Sequence, residues 1–216
     1  MERNKLIGIL ISVSLLAAGF LLSGSAALYF NLVSILIVLG GILGAAFIGF
    51  RMERLVIVYR VLCSSYKTRV KTPEEIVEIL VDLSVKSKIK GVLSLQKDQE
   101  ETSIIFLRRA LGFLVDSFTK EQIREILTTE MYFFKLRREE SERVLRTIAE
   151  ICPSFGLIGS VVGLMGMLSG VHDSSILIQT IATAFTSTIY GVILSYFLPL
   201  PFAAHIRERT DHELLL

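Results

Sequence analysis

The sequence holds few of the residues from which disulfide scaffolds, metal centres and proline-rich linkers are built. Among its 216 residues are two cysteines, four prolines and no tryptophan. Cys63 and Cys152 stand alone, without the spacing or the partners of a zinc or redox site. We therefore interpret both as small packing side chains. Because no cluster of histidines, cysteines or paired carboxylates lies at the edge of an apolar segment, we expect neither an enzyme nor a bound cofactor.

Charge is missing from long parts of the chain. Segments without any Asp, Glu, Lys or Arg lie between Lys5 and Arg51, between Glu150 and Asp173, and between Asp173 and Arg207. By contrast, residues 51–150 contain 19 of the 23 basic and 16 of the 21 acidic residues. With 52% hydrophobic residues and a mean hydropathy of +0.60, the chain falls in the membrane class. The net charge of +2 gives no reason to expect a nucleic acid partner.

The apolar residues form four candidate spans, at residues 6–22, 31–50, about 152–171 and about 176–202. A signal peptide is the alternative for the first span, because Arg3 and Lys5 precede it and small residues follow. However, its 17 residues exceed the roughly 7–15 of a usual signal-peptide core, and a second span follows almost at once. We therefore predict an all-α integral membrane protein with four transmembrane helices and a helical cytoplasmic domain between spans two and three.

The basic residues predict the orientation, because short loops rich in Lys and Arg stay in the cytoplasm. Such residues follow spans two and four, whereas the loops at residues 23–30 and 172–175 contain none. We therefore predict a multi-pass protein with both termini inside. The predicted parts are a transmembrane hairpin at residues 1–50, a cytoplasmic domain at 51–151, a second hairpin at 152–206 and a short cytoplasmic tail at 207–216.

Two capping signals predict helix starts in the charged block. Thr72 and Glu75 have the spacing of a capping box, and Pro73 occupies the first helical position between them. Thr119 and Gln122 repeat the capping-box spacing further along the chain. Each of these pairs therefore predicts the beginning of a cytoplasmic helix.

Two further segments of this block are expected to be helical. Residues 102–118 are apolar but interrupted by Arg108 and Arg109, so we expect a packed cytoplasmic helix rather than a fifth span. No Pro or Gly interrupts residues 120–152. This last helix is therefore expected to run directly into span three.

Span three carries a stripe of glycines whose successive spacings are 3, 4, 3 and 4, namely Gly156, Gly159, Gly163, Gly166 and Gly170. In lipid, such a stripe lets helix backbones approach closely, either within one chain or between chains. Span four has a stripe of its own at Thr180, Ala184, Thr188, Gly191 and Ser195. Its hydroxyls either line a narrow wet path or bond back to carbonyls of their own helix.

The four predicted spans contain no Asp, Glu, Lys, Arg or His between their ends. Proteins that move ions across membranes generally carry such a residue inside the bilayer. Two interpretations therefore stay open: the chain moves no ions, or a partner helix supplies the carboxylate.

Three segments resemble one family of membrane proteins. "CPSFGLIGSVVGLMGML" is similar to the third-span motif of the MotA/TolQ/ExbB proton-channel family. "TSTIYGVILSYFLPLPFAAHI" resembles the fourth span of its flagellar stator branch, with matches at Thr188, Tyr190, Gly191 and Pro201. "SILIVLGGILGAAFIGF" resembles the second span of that branch. The extra N-terminal hairpin also fits this branch, because TolQ and ExbB have three spans.

The resemblance implies a stator subunit of the bacterial flagellar motor in the inner membrane. Such subunits form a ring, typically a pentamer, around a single-span MotB-like partner that carries the ion-binding Asp. Ion flow then turns the ring, whose cytoplasmic domain pushes on a FliG-like rotor protein. In this chain the resemblance implies that Ser160 and Thr188 lie beside the ion path, that Pro153 and Pro201 couple ion passage to motion, and that Gly191 packs helices.

Some details depart from the family pattern or stay open. The family's threonine in span three is Ser160 here, and a cytoplasmic motif reads Lys88, Gly91, Leu95 and Gln96. We expect Lys88, Arg108 and Arg109 to contact the rotor. Paired hydroxyls slightly favour Na⁺ over H⁺ as the transported ion, since oxygen ligands suit hard cations. The alternatives are a TolQ/ExbB-like energiser of outer-membrane processes and a non-conducting membrane scaffold.

Overall fold

The computed structural model describes residues 2–22, 29–67, 72–102, 104–169 and 174–215. The α-helices are α1 (Glu2–Leu22), α2 (Leu32–Gly49), α3 (Met52–Lys67), α4 (Pro73–Lys90), α5 (Gln96–Glu101), α6 (Ile105–Val115), α7 (Lys120–Ser169), α8 (Ser174–Phe197) and α9 (Pro199–Leu215). A 3-10 turn at Val92–Leu95 separates α4 from α5. The described part of the chain contains no strand, in agreement with the predicted all-α class.

The chain divides into two compact units that alternate along the sequence. The first unit comprises Met1–Arg51 and Thr147–Leu200, and the second comprises Met52–Arg146 and Pro201–Leu216. The first unit holds the apolar segments, and the second holds almost all of the charged block.

Within the described residues, three helical stretches are long and apolar enough to cross a membrane. They are Leu32–Gly49 and parts of Lys120–Leu168 and Ser174–Leu214. In α1, the corresponding apolar stretch is the shorter Leu10–Phe20. The helices thus support a multi-pass membrane protein, while predicted span one falls on this shorter stretch.

The core of the first unit lies where α2, α7 and α8 meet. Val38 and Ile42 of α2 pack against Cys152 of α7, which is fully buried. Phe155 packs against Gly41, where an added Cβ would overlap the Phe155 ring. Cys152 therefore acts as a small packing side chain, as the sequence predicted.

Contacts within the first unit define the directions of its helices. Asn31 contacts Thr183, and three residues further along both helices Ser34 contacts Thr186, so α2 and α8 run in the same direction. By contrast, Gly163 faces Ala184 while Gly156 faces Gly191, so α7 runs antiparallel to α8. Spans two and four were predicted to cross in one sense and span three in the other, and the helix directions agree.

Both predicted helix starts in the charged block are confirmed. Thr72 and Glu75 form a reciprocal capping box, with Pro73 at the start of α4. The Thr119 backbone N–H donates to Gln122 Oε1 at 3.0 Å, and the Gln122 N–H donates to Thr119 Oγ1 at 3.3 Å. The predicted continuity is also confirmed, because α7 is one helix of 50 residues.

The second unit has a small apolar core of its own. Leu83 of α4, Leu95 of the 3-10 turn and Leu111 of α6 are buried together. The chain leaves α4 at Gly91, whose φ of 81° is a conformation that favours glycine. At 11 residues, α6 is about 16 Å long and too short to span a bilayer, as predicted from its arginines.

Helix α9 contains the residues that were expected to form a short tail. Its side chains Ile206, Arg209 and Thr210 are buried in the second unit. Glu213 pairs with both Arg209, at 2.7 Å, and Arg138 of α7, at 3.0 Å. Burial lowers the pKa of Arg138, while the Glu213 carboxylate raises it. Helix α9 is therefore a packed helix held by ion pairs that share Glu213.

Candidate functional site

The glycine stripe of α7 packs on α8 of the same chain. A Cβ at Gly163 would lie 2.6 Å from the Ala184 backbone N, and one at Gly159 would lie 2.5 Å from Ser187 Cβ. On the α8 side, a Cβ at Gly191 would lie 2.7 Å from the Cys152 carbonyl oxygen. The two backbones therefore approach so closely that side chains are excluded at these positions.

The remaining glycines of the stripe complete this description. Gly156 faces the backbone of Ser187 and Thr188, and Gly166 faces the Thr180 methyl group. Gly170 lies outside the described residues. The seam between α7 and α8, defined here by Gly156, Gly159, Gly163, Gly166 and Gly191, is thus an intrachain contact.

Ser160 and Thr188 meet across this seam. Their hydroxyls form a hydrogen bond in which either oxygen can be the donor. Ser160 Oγ also donates to the Ala184 carbonyl at 2.7 Å, and Thr188 Oγ1 lies 3.4 Å from the same carbonyl. Three oxygens converge there and share two hydroxyl protons, which leaves lone pairs that a cation or a proton donor can use. Both side chains are half-buried.

Pro153 lies inside α7, where it cannot donate to the carbonyl four residues earlier. That carbonyl belongs to Ala149, which is 3% exposed. Ser195 Oγ of α8 donates to it at 2.7 Å, in a buried hydrogen bond. The sequence placed Ser195 on the small-residue face of span four, but only the structure shows that it satisfies this carbonyl.

A second polar contact, between α2 and α8, was not predicted. Asn31 Nδ2 donates to Thr183 Oγ1 at 2.9 Å, and Ser34 Oγ lies 2.7 Å from Thr186 Oγ1. The Tyr190 hydroxyl accepts from the Asn31 backbone N–H at 3.1 Å and donates to the Tyr29 carbonyl. The sequence signal that could have indicated this contact is the spacing of its polar residues. Asn31 and Ser34 are three positions apart, and Thr183, Thr186 and Tyr190 on α8 are three and four positions apart.

The second predicted proline, Pro201, lies in the first turn of α9. Helix α8 ends at Phe197, and α9 begins at Pro199 after Leu198. Proline is well tolerated at the beginning of a helix, because the first N–H groups have no helical acceptor. Pro201 is exposed.

The predicted rotor contacts occupy separate environments within the second unit. Arg109 forms an ion pair with Glu130 of α7, and Arg108 Nε donates to the Thr102 carbonyl at 3.0 Å. Lys88 is exposed and makes no ion pair or hydrogen bond with any residue that the structure describes. Asp98 lies close in sequence to the Lys88 motif but pairs with Lys86 instead, at 2.6 Å.

Comparison with known proteins identifies the family. Residues 97–216 match the MotA/TolQ/ExbB proton channel family. Motility protein A of Treponema phagedenis is 29% identical over 213 residues, covering 99% of this chain and 82% of the relative. The chemotaxis protein PomA of Vibrio alginolyticus is 26% identical over 215 residues, covering 100% of this chain and 84% of PomA.

Similarity to a solved structure supports the same family assignment. The chain is similar to the flagellar MotAB stator complex from Bacillus subtilis, with a TM-score of 0.84 and 27% identity. The alignment covers 97% of this chain and 83% of that chain.

The chain therefore belongs to the MotA/TolQ/ExbB proton channel family. Within it, the two relatives named above are a motility protein and a chemotaxis protein, and the similar solved structure is a flagellar stator complex, which confirms the prediction of a flagellar motor stator subunit.

Proposed function

We propose that this subunit crosses the bacterial inner membrane four times, with both termini in the cytoplasm, and forms an ion channel together with a MotB-like partner. The antiparallel and parallel directions of α2, α7 and α8 support this topology. Helix α1, with its apolar stretch Leu10–Phe20, supplies the first crossing. The basic residues that follow α2 and lie on α9 orient the chain by the positive-inside rule.

The oxygen cluster of Ser160, Thr188 and the Ala184 carbonyl carries the proposal. It lies in helices that contain no charged residue between Glu150 and Asp173 or between Asp173 and Arg207. Polar oxygens can replace part of an ion's hydration shell, but they cannot hold or exchange a proton as a carboxylate does. The ion-binding Asp of a single-span partner supplies this missing group.

The proposed assembly is a ring of five identical subunits, as the family resemblance implies, around the partner's helices. The similar solved structure is a MotAB stator complex, which supports a MotB-like partner. The ring transmits its motion to a FliG-like rotor through the charged second unit. Lys88 is the first candidate for that contact, because it is exposed and holds no intrachain ion pair in the described structure.

Replacing the two hydroxyls tests the ion path. In cells that swim with this subunit and its partner, swimming speed is measured against Na⁺ concentration at fixed pH. We expect Ser160→Ala and Thr188→Ala to abolish swimming in a Na⁺-driven motor, because Na⁺ needs those oxygens. In a H⁺-driven motor we expect much of the speed to remain, since a proton can reach the partner's Asp along water.

Ser12→Ala is the matched control, because the Ser12 hydroxyl bonds to the Gly8 carbonyl of its own helix and is exposed. It should leave speed unchanged. A wild type indifferent to Na⁺ would show that the slight preference for Na⁺ is wrong. If both variants swim like the control, neither hydroxyl belongs to the ion path.

A further inference from the structure

A charged cavity lies between α7 and α9 in the second unit, and it shares no residue with the ion-path cluster. Its volume is about 460 Å³. Five basic side chains line it, namely Lys135, Arg138, Arg143, Arg146 and Arg207. Three acidic side chains also line it, so the lining has an excess of two positive charges.

Most of the acidic groups are already engaged. Glu142 accepts from Arg146 at 2.7 Å, and Glu139 lies 3.7 Å from Lys135. Arg207 is exposed and forms no hydrogen bond or ion pair with any residue that the structure describes, and the third acidic group, Asp211, does not pair with it. An anion entering the cavity would therefore find a guanidinium that is not yet committed.

The position of the cavity along α7 indicates where such an anion comes from. Arg146 lies six residues before Cys152, where the apolar part of the helix begins. At a rise of about 1.5 Å per residue, this places Arg146 about 9 Å along the helix from the start of the apolar part. The polar zone of a bilayer extends roughly 5–7 Å beyond each face of its hydrocarbon core. The membrane end of the cavity thus lies about 2 Å beyond this zone, a distance that a long basic side chain can span to reach a headgroup.

We propose that this cavity binds the phosphate of an anionic phospholipid headgroup. Arginine is suited to this ligand, because its planar guanidinium can donate two parallel hydrogen bonds to a phosphate. Basic pockets at the cytoplasmic ends of membrane helices are a recurrent setting for anionic headgroups. The site is separate from ion flow and requires no partner protein. Only the assignment to the cytoplasmic leaflet rests on the proposed topology.

Lipid titration tests the proposal directly. The full-length chain, purified in detergent and stripped of lipid, is titrated with phosphatidylglycerol or phosphatidylcholine, and bound lipid is counted by native mass spectrometry. We expect tighter binding of phosphatidylglycerol than of phosphatidylcholine. Since a basic residue contributes about 1 kcal/mol near an anionic surface, Arg207→Gln should weaken phosphatidylglycerol binding about fivefold. Arg207→Lys should retain most of it.

Arg51→Gln is the matched control, because Arg51 is also exposed and next to an apolar helix but lies outside the cavity. It should change binding less than twofold. An equal loss in Arg51→Gln would indicate diffuse surface attraction and overturn the site. Displacement of the lipid by 10 mM inorganic phosphate would show a site for a soluble anion instead. Loss of oligomers in Arg207→Gln with lipid binding unchanged would assign the cavity to a neighbouring copy.

Discussion

At the scale of single residues, Ser195 replaces a hydrogen-bond donor that Pro153 removes. The Ala149 carbonyl is buried and loses its helical donor because the residue four positions later is proline. The Ser195 hydroxyl from α8 satisfies it. The proline that the family resemblance links to coupling is therefore tolerated inside a continuous helix with the help of the neighbouring helix.

Pairing substitutions at these two positions tests this relationship. Ser195→Ala should cost about 1–3 kcal/mol of unfolding free energy, because the Ala149 carbonyl stays buried without a donor. In a Pro153→Ala background the same change should cost clearly less, since alanine restores the backbone N–H. Ser154→Ala should be nearly neutral, as its exposed hydroxyl bonds back to Glu150 of its own helix. Additive effects in the double variant, measured by denaturant unfolding, would contradict the exchange of donors.

At the scale of helices, the seam between α7 and α8 depends on the absence of side chains. A Cβ at Gly163 would meet backbone atoms, 2.6 Å from the Ala184 N and 2.7 Å from the Thr180 carbonyl oxygen. Backbone atoms cannot rotate away as a side chain can. Even one added methyl group therefore forces the two helices apart.

Replacing each of two glycines by alanine in turn separates the overpacking of the seam from the general effect of alanine on helix propensity. Gly163→Ala should destabilise the protein by about 1–3 kcal/mol, the usual cost of overpacking. Gly40→Ala is the control, because a Cβ at Gly40 of α2 meets nothing within 4 Å. It should be neutral or slightly stabilising. Thermal melting in one detergent compares them, and equal midpoints for the two variants would show that the seam is not tightly packed.

A feature of the helices could be predicted from the sequence when the residues that signal it lie close together in the chain. The capping boxes at Thr72 and Thr119 and the long α7 were predicted correctly, because their signals lie within a few residues of each other. The glycine stripe indicated a packing face, but spacing alone cannot say which helix covers it. The Asn31 and Ser34 contacts were missed for the same reason, since their partners on α8 lie about 150 residues further along.

At the scale of the whole molecule, the membrane helices provide oxygens and close contacts but no carboxylate. We therefore expect the chain reconstituted alone in vesicles to conduct neither Na⁺ nor H⁺ under an applied potential. A pH-sensitive dye and a Na⁺-sensitive dye inside the vesicles measure the flux. Adding the partner protein should raise it, whereas strong flux without any partner would contradict the proposed division of roles.

The rotor contact can be tested at the same scale. Lys88→Glu should slow or abolish swimming at an unchanged protein level, because it reverses an exposed charge on α4. Lys86→Gln is a useful comparison, since Lys86 pairs with Asp98 and its loss should lower stability instead. A compensating charge reversal on the rotor protein should restore swimming with Lys88→Glu. Normal swimming in Lys88→Glu, and in reversals of Arg108 and Arg109, would place the contact elsewhere.

The alternating order of the two units has a consequence for synthesis. The Ser34 hydroxyl on α2 bonds to the Thr183 carbonyl on α8, 149 residues later in the chain. At about 5–20 residues per second, a ribosome needs roughly 7 to 30 s to make that distance. The second unit's residues 52–146 emerge during this interval. The polar start of α2 must therefore persist in the membrane without its partner helix, and the first unit can close only after α8 has been synthesised.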